Sequence, residues 1–248
     1  MSSQPTPRPV VPGTRPRIVD PKAVPVRGTD AHLPAVSPHE LTADTLRARF
    51  AKAPAAWAPE IPGDGQHQDR PPAPASVLVP LVQRQDGLHV LLTRRTDHLH
   101  DHAGQISFPG GRQEPEDADE TATALRETLE EIGLHQRHVE VLGRLPVYTT
   151  VTRFVVTPVV ALVQPPFDLR LDAFEVAEAF EVPLGFLMNP AHHHRHVFEA
   201  TGVTRQFLSM PWLGTNAQGL AHEFFIWGAT AAMLRNLYAF LAAPASDA

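Results

Sequence analysis

Cysteine is absent from the 248 residues. That excludes disulfides and thiolate nucleophiles, and it accords with a cytoplasmic location. Long apolar runs are missing too. None approaches the roughly 18 residues that suggest a membrane span, so no membrane partner is expected. The opening residues MSSQPTPRPVVPG hold no apolar h-region, which argues against a secretory signal. Nor is there a basic excess: the formal charge is −6, whereas a general nucleic-acid binder needs a basic face. No nucleic-acid partner is expected. No internal repeat is visible. What is present, 43% hydrophobic and 19% charged residues, is ordinary for a soluble enzyme-sized core.

Proline is plentiful and unevenly placed. Residues 1–75 hold 15 of the 26 prolines, and runs such as PTPRPVVPGTRPR cannot sustain a helix or a central strand, because proline lacks the amide donor and fixes φ. This N-terminal arm reads as mostly extended or disordered. One piece differs. In SPHELTADTLRARFAKA, Ser37 as cap, Pro38 at the first helical position and Glu40 three residues after the cap predict a helix near 38–52. From Ser76 the pattern changes, and residues 76–243 read as the folded domain. SVLVPLV and HVLLTRR are strands about a turn at Gln85-Asp86-Gly87. VEVLGRLPV and RFVVTPVVALV are strand-like in their β-branched content. VFEATGVTRQFL predicts a hairpin turning at Thr201-Gly202. HEFFIWGATAAMLRNLYAFLAA has helical spacing in Ile226, Ala229, Met233, Leu237 and Phe240. Trp227, Gly228 and Thr230 read as packing for that helix. The sum is an α+β layered domain.

The most unusual stretch is LRETLEEIGL, residues 125–134. Asp117 or Asp119 can cap its helix, and Gly133 can end it. At about 100° per residue Ala122, Leu125, Leu129 and Ile132 form one stripe, and Glu127, Glu130 and Glu131 cluster on the opposite side. The bland explanation is a solvated face, the usual meaning of exposed charge. Yet like charges at i,i+4 cost roughly 0.2–0.5 kcal/mol per pair. The C-terminal half of a helix also favours cations. A divalent cation reverses the sign of both effects, and carboxylates without Cys or His are hard donors suited to Mg²⁺ or Mn²⁺. Upstream, Phe108-Pro109-Gly110-Gly111 gives a backbone able to approach a metal or phosphate closely.

These residues carry a family resemblance. Arg126-Glu-Thr-Leu-Glu-Glu-Ile-Gly-Leu134 resembles the second half of the Nudix box. Two departures are Thr128 in a hydrophobic slot and a spacing from Gly111 one residue longer than standard. The upstream box glutamate falls at Ala118, flanked by Asp117 and Asp119. Leu91-Leu-Thr-Arg-Arg-Thr96 followed by Gly104-Gln-Ile-Ser-Phe-Pro-Gly-Gly111 resembles the signature that precedes the box in coenzyme A pyrophosphatases, with Thr96 and His100 as departures. FEVAEAFEVPL and FFIWGATAAML are also similar to that subgroup.

The resemblance implies a Nudix-type α/β/α sandwich with a mixed sheet. It also implies hydrolysis of the diphosphate bond of coenzyme A or its derivatives, giving 3′,5′-ADP and 4′-phosphopantetheine. Mg²⁺ or Mn²⁺ would be held by Glu127, Glu130, Glu131 and the Gly111 carbonyl, with Arg126 orienting the glutamates. Gly110, Gly111, His100 and one of Arg94 and Arg95 would meet substrate, the motif favouring Arg95. The general base is one of Glu127, Glu130, Glu131, Glu175 and Glu178. The partner is then a small molecule, and the resemblance admits a homodimer. Two alternatives stay open: a Nudix enzyme for ADP-ribose or a dinucleotide, and a non-catalytic nucleotide-sensing module, which the missing glutamate at Ala118 would favour. The clusters His98–His102 and His192–His196 invite a zinc site, but without thiolates they read first as solvated polar residues. His100 or His102 could instead approach the anionic substrate.

Overall fold

The computed structural model describes residues 18–52, 57–63, 72–98, 104–200 and 203–244. The N-terminal part supplies β1 (Val26–Thr29) and α1 (Ala43–Ala51). The central part runs β2 (Ala73–Arg84), β3 (Gly87–Arg95), β4 (Ile106–Ser107), β5 (Gly110–Arg112), α2 (Glu120–Ile132), β6 (Val139–Arg144), β7 (Tyr148–Thr149) and β8 (Phe154–Val163). The last part runs β9 (Val176–Pro183), α3 (Leu184–Leu187), β10 (His194–Ala200), β11 (Val203–Thr215), β12 (Ala221–Trp227) and α4 (Gly228–Ala242).

Two sheets result. The larger has the order β4-β3-β2-β8-β6, with β5 beside β2, β7 beside β8 and β9 beside β3. It is mixed: β2 and β8 run parallel over Ala73–Val82 and Phe154–Val163, and the other pairs are antiparallel. The smaller is antiparallel, β1-β10-β11-β12. Alternation along β2 feeds two cores, as period-two side chains must. Leu78 and Val82 face α2, with Ala124, Ile132 and Val159. Val79 and Leu81 face the opposite way, toward α4 and the inner side of the smaller sheet. The architecture is the expected α+β sandwich, with α2 on one face of the mixed sheet and α4 on the other.

The hairpin at Gln85-Asp86 and the strands from VEVLGRLPV and RFVVTPVVALV are present. Ala200 pairs with Val203, so the later hairpin forms as well; its turn residues, Thr201 and Gly202, lie outside the described residues. Three expectations need correction. FFIW is not helical: it ends β12, where Ile226 pairs with Met210, and helix α4 starts only at Gly228. Clustered aromatic and β-branched residues beside a waiting strand outweigh a helical spacing. Next, the stretch near 38–52 is a 3-10 turn at Pro38–Leu41 followed by α1. Its cap is Thr42, which accepts from the Thr45 amide, and not Ser37. Finally, residues 18–52, read as an extended or disordered arm around one helix, are joined to the folded domain. Here β1 extends the smaller sheet and Leu46 of α1 is fully buried in the main core. Fixed backbone pays off when apolar side chains such as Leu46 gain roughly 1.5–3 kcal/mol each on burial.

Candidate active site

Helix α2 begins at Asp119, whose side chain accepts from the Ala122 amide, and ends at Gly133 with φ 70°. The buried face is rotated from the one expected. Thr123, Ala124, Thr128, Glu131 and Ile132 are buried, while Leu129 is 41% exposed. Thr128 fits the hydrophobic slot because its hydroxyl donates to Ala124 O at 2.6 Å, leaving no orphaned donor. The rotation turns Glu131 inward and Glu130 to solvent, so the three glutamates have three different surroundings.

Glu131 is 7% exposed and accepts from the Gly110 amide at 3.1 Å. Burial pushes its carboxyl up to about 7, and repulsion from Glu175 and Glu127 adds to this. Glu127 is also pushed up, first by burial and then by Glu130 and Glu175, against the pull of Arg126. Beneath it lies Gly111, where an added Cβ would sit 2.5–2.6 Å from the Glu127 carboxylate. Only glycine admits this approach. Gly110 is the more constrained of the two, with φ 150° and a Cβ that would meet the backbone at Ser76 O and Val77, whereas at Gly111 the flexible Glu127 end could shift. Glu130 turns to Arg126 at 2.9 Å, and Arg126 reaches Glu127 at 3.1 Å.

The expected convergence of all three glutamates therefore needs correction. Among the described residues no group of three or more His, Asp or Glu side chains stands close enough, as placed, to hold a metal ion. Each carboxylate has taken its nearest cation or amide, the response of like charges that repel. Glu127, Glu131 and Glu175 still form one electrostatically coupled cluster.

Asp117 was seen in the sequence only as a cap or a flank of Ala118. It makes a two-pronged ion pair with Arg126, Nε–Oδ1 2.9 Å and Nη2–Oδ2 2.9 Å, and also accepts from Thr123 Oγ1 and the Glu114 amide. Those contacts, Arg126 first, hold its carboxyl far below the usual range. Ala118 is exposed, and the carboxylate beside it does the orienting. The signal was available: the one-residue insertion shifts the useful acid to Asp117. Asp117, Glu127, Arg112, Gln113 and Glu114 line an open cleft of about 610 Å³.

On the other side, Arg95 Nη1 stands 3.7 Å from Glu175 Oε2 and draws on Glu131 as well. Arg94 instead meets Glu178 and Asp97, both at 3.5 Å. A register shift between Arg94 and Arg95 against β9 accompanies this divergence. Glu178 is 5% exposed and accepts from the Ala217 amide at 2.5 Å, so it ties the β11–β12 turn to β9 and stands apart from the coupled cluster. His100 and His102 lie outside the described residues. His193 and His196 are buried and hydrogen-bonded to Leu187 O and Val24 O.

The NUDIX domain family matches residues 72–207. A protein of Enterobacter sp. (strain 638) named uncharacterized Nudix hydrolase NudL is 36% identical over 200 residues, 80% of this chain and 94% of the relative. Its namesake in Escherichia coli (strain K12) is 40% identical over 164 residues, 66% of this chain and 80% of the relative. Among solved structures, a binary complex of the C. elegans Ap4A hydrolase is 21% identical, with a TM-score of 0.40 over 47% of this chain and 85% of that one. A MutT protein from Methanosarcina mazei Go1 is 23% identical, with a TM-score of 0.39 over 49% and 83%. The chain belongs to the Nudix hydrolase family.

Proposed function

We propose that the protein hydrolyses the diphosphate bond of coenzyme A or its derivatives with Mg²⁺ or Mn²⁺, releasing 3′,5′-ADP and 4′-phosphopantetheine or its acyl form. One observation carries the reading: the coupled carboxylates Glu127, Glu131 and Glu175 stand beside Arg95. Glu127 and Glu131, pushed up by burial and by neighbouring carboxylates, lose that repulsion when a divalent cation arrives, and carboxylate oxygens are the hard donors it prefers. A guanidinium beside them matches a phosphate in shape and charge. The choice of coenzyme A rests on the signature-like residues 91–96 and 104–111, which include the end of β3, β4 and the glycine turn at this rim.

Glu127 and Glu131, with the Gly111 carbonyl and with Glu130 once it turned from Arg126, would hold the cation, which when bound would neutralise the diphosphate and activate water. Arg126, gripped by Asp117, fixes the glutamates' approach. Arg95 orients the diphosphate. Water attacks one phosphorus, the bridging P–O bond breaks, and the other phosphate leaves. Glu175, half-exposed and 3.7 Å from Arg95, would accept the water's proton. The sensing alternative drew on a missing box carboxylate, and Asp117 supplies one.

The test is incubation of the purified protein and Mg²⁺ or Mn²⁺ with coenzyme A, an acyl-coenzyme A, ADP-ribose and NADH. The expected products are 3′,5′-ADP and 4′-phosphopantetheine. Preferential turnover of ADP-ribose would contradict the coenzyme A assignment, and no turnover at all would favour a sensing module.

A further inference from the structure

We propose that Phe174, backed by His98, is the platform on which the nucleobase of the diphosphate substrate stacks. The inference builds on the nucleotide reading of the neighbouring carboxylates and adds to it a second, apolar subsite. Exposed apolar residues are common, so exposure alone says nothing. Three observations set this one apart.

The first is identity. Phe174 is 64% exposed and is the one aromatic among the exposed large hydrophobics of the described residues. Its ring meets the His98 ring at 5.0 Å and 60°, so one part is supported and the rest is open. The second is rigidity. Phe174 sits in the turn that leads into β9, and that turn is fastened on two sides. The Asp172 amide donates to Glu131 O at 2.9 Å, and the Arg170 amide to Ile132 O at 2.8 Å, satisfying carbonyls in the last turn of α2. At the end of β3, Thr96 donates twice: its Oγ1 to Phe174 O at 2.8 Å and its amide to Glu175 O at 3.0 Å. The Phe174 amide itself donates to Asp172 Oδ1 at 2.8 Å. A ring presented from so constrained a backbone loses little further freedom when it binds a flat partner. The third is place. The next residue is Glu175, whose carboxylate stands 3.7 Å from Arg95, so Phe174 adjoins in the chain the pair proposed to meet the diphosphate. Thr96, one of the departures from the signature, acts here as a positioning residue for both Phe174 and Glu175.

Stacking of one base on an aromatic ring sets the size of the effect, about tenfold in affinity when the ring is cut to alanine. The experiment pairs a ligand that has a base with one that lacks it. Binding of ADP and of ribose 5-diphosphate, each with Mg²⁺, is measured by calorimetry for wild type, Phe174→Ala, Phe174→Trp and Leu171→Ala. Leu171 is an exposed apolar residue of the same loop. Steady-state KM and kcat for coenzyme A are measured in parallel.

The expected result is that Phe174→Ala weakens ADP about tenfold and leaves ribose 5-diphosphate within twofold. Phe174→Trp and Leu171→Ala keep the preference for ADP. KM for coenzyme A rises while kcat stays within about twofold. Equal loss for both ligands would overturn the platform and make Phe174 a structural residue; so would a wild type that binds the two equally. A base preference that depends on Phe174, in a protein that cleaves no substrate, would uphold the platform and remove the hydrolase reading instead.

Discussion

Two charged clusters in this molecule follow opposite rules. One lies where the N-terminal segment meets α4. Asp30 and Glu60 face Arg195 and Arg235 there, at 2.6 and 3.2 Å for Asp30 and 2.9 and 2.5 Å for Glu60. Arg235 also donates to His193 Nδ1 at 3.0 Å, and the other His193 nitrogen meets Leu187 O. Charges balance two against two. Burial would push Asp30 up, yet the two arginines hold it below its ordinary value. The second cluster lies at the end of α2. Glu127, Glu131 and Glu175 press on one another, and burial together with that repulsion pushes the carboxyls of Glu127 and Glu131 up. The balanced cluster fastens the fold. The unbalanced one stores unfavourable charge at a rim, and a divalent cation can relieve it.

Breaking each cluster should therefore have opposite consequences. The largest effect belongs to catalysis. Glu127→Gln should lower kcat by about 10³-fold, equivalent to about 4 kcal/mol, with the fold intact by circular dichroism. At the balanced cluster the loss should appear as stability. Asp30→Ala leaves the Arg235 charge buried with fewer partners, and should cost about 3–5 kcal/mol in urea unfolding while kcat of the folded protein stays near wild type.

Acid should act on the same cluster through His193, which burial and Arg235 push down to about 4. A depressed histidine favours the neutral form in the folded state. Its contribution is complete above the ordinary value of 6.5 and is lost as pH falls toward 4, by up to ~3 kcal/mol. His193→Gln should flatten that part of the stability–pH curve; an unchanged curve would reassign the acid sensitivity. The smallest effect expected is at the support. Asp117→Ala frees Arg126, and kcat should drop by about tenfold, as for the loss of groups that orient metal ligands.

The sequence made much of this legible where local chemistry decides. Asp119 and Gly133 bracket α2 as caps should, and the Gln85-Asp86 turn lies between two strands whose apolar pattern is unambiguous. Phase was harder. Leu129 belonged to a plausible apolar stripe, but the sheet beneath α2 accepts Thr128 and Glu131 instead, because Thr128 satisfies its own hydroxyl and Glu131 finds the Gly110 amide. The partners that decide this are far away in the chain or are backbone groups, invisible to a helical wheel. Asp117 was missed for a related reason: motif spacing pointed to Ala118, while the loop of residues 114–119 folds so that the neighbouring acid reaches Arg126. The proline-rich segment misled by composition. Proline limits helices but does not prevent Val26–Thr29 from adding to a sheet edge or Leu46 from filling the core.

We infer that repulsion among its carboxylates destabilises the end of α2 and that a divalent cation would relieve it. Glu131 is pushed up to about 7 from 4.5. Folding thus favours its protonated form, and that stability is present below 4.5 and lost as pH rises through about 7. Thermal unfolding of cation-free wild type and Glu131→Gln at pH 5 and pH 8, with and without Mn²⁺, addresses this directly. Glu131→Gln should be the more stable of the two at pH 8 without cation, by up to ~3 kcal/mol. The difference should shrink at pH 5, and Mn²⁺ at pH 8 should raise the melting temperature of wild type alone. A wild type that is as stable as the variant at pH 8 and indifferent to Mn²⁺ would mean that the helix end carries no such strain and takes no cation.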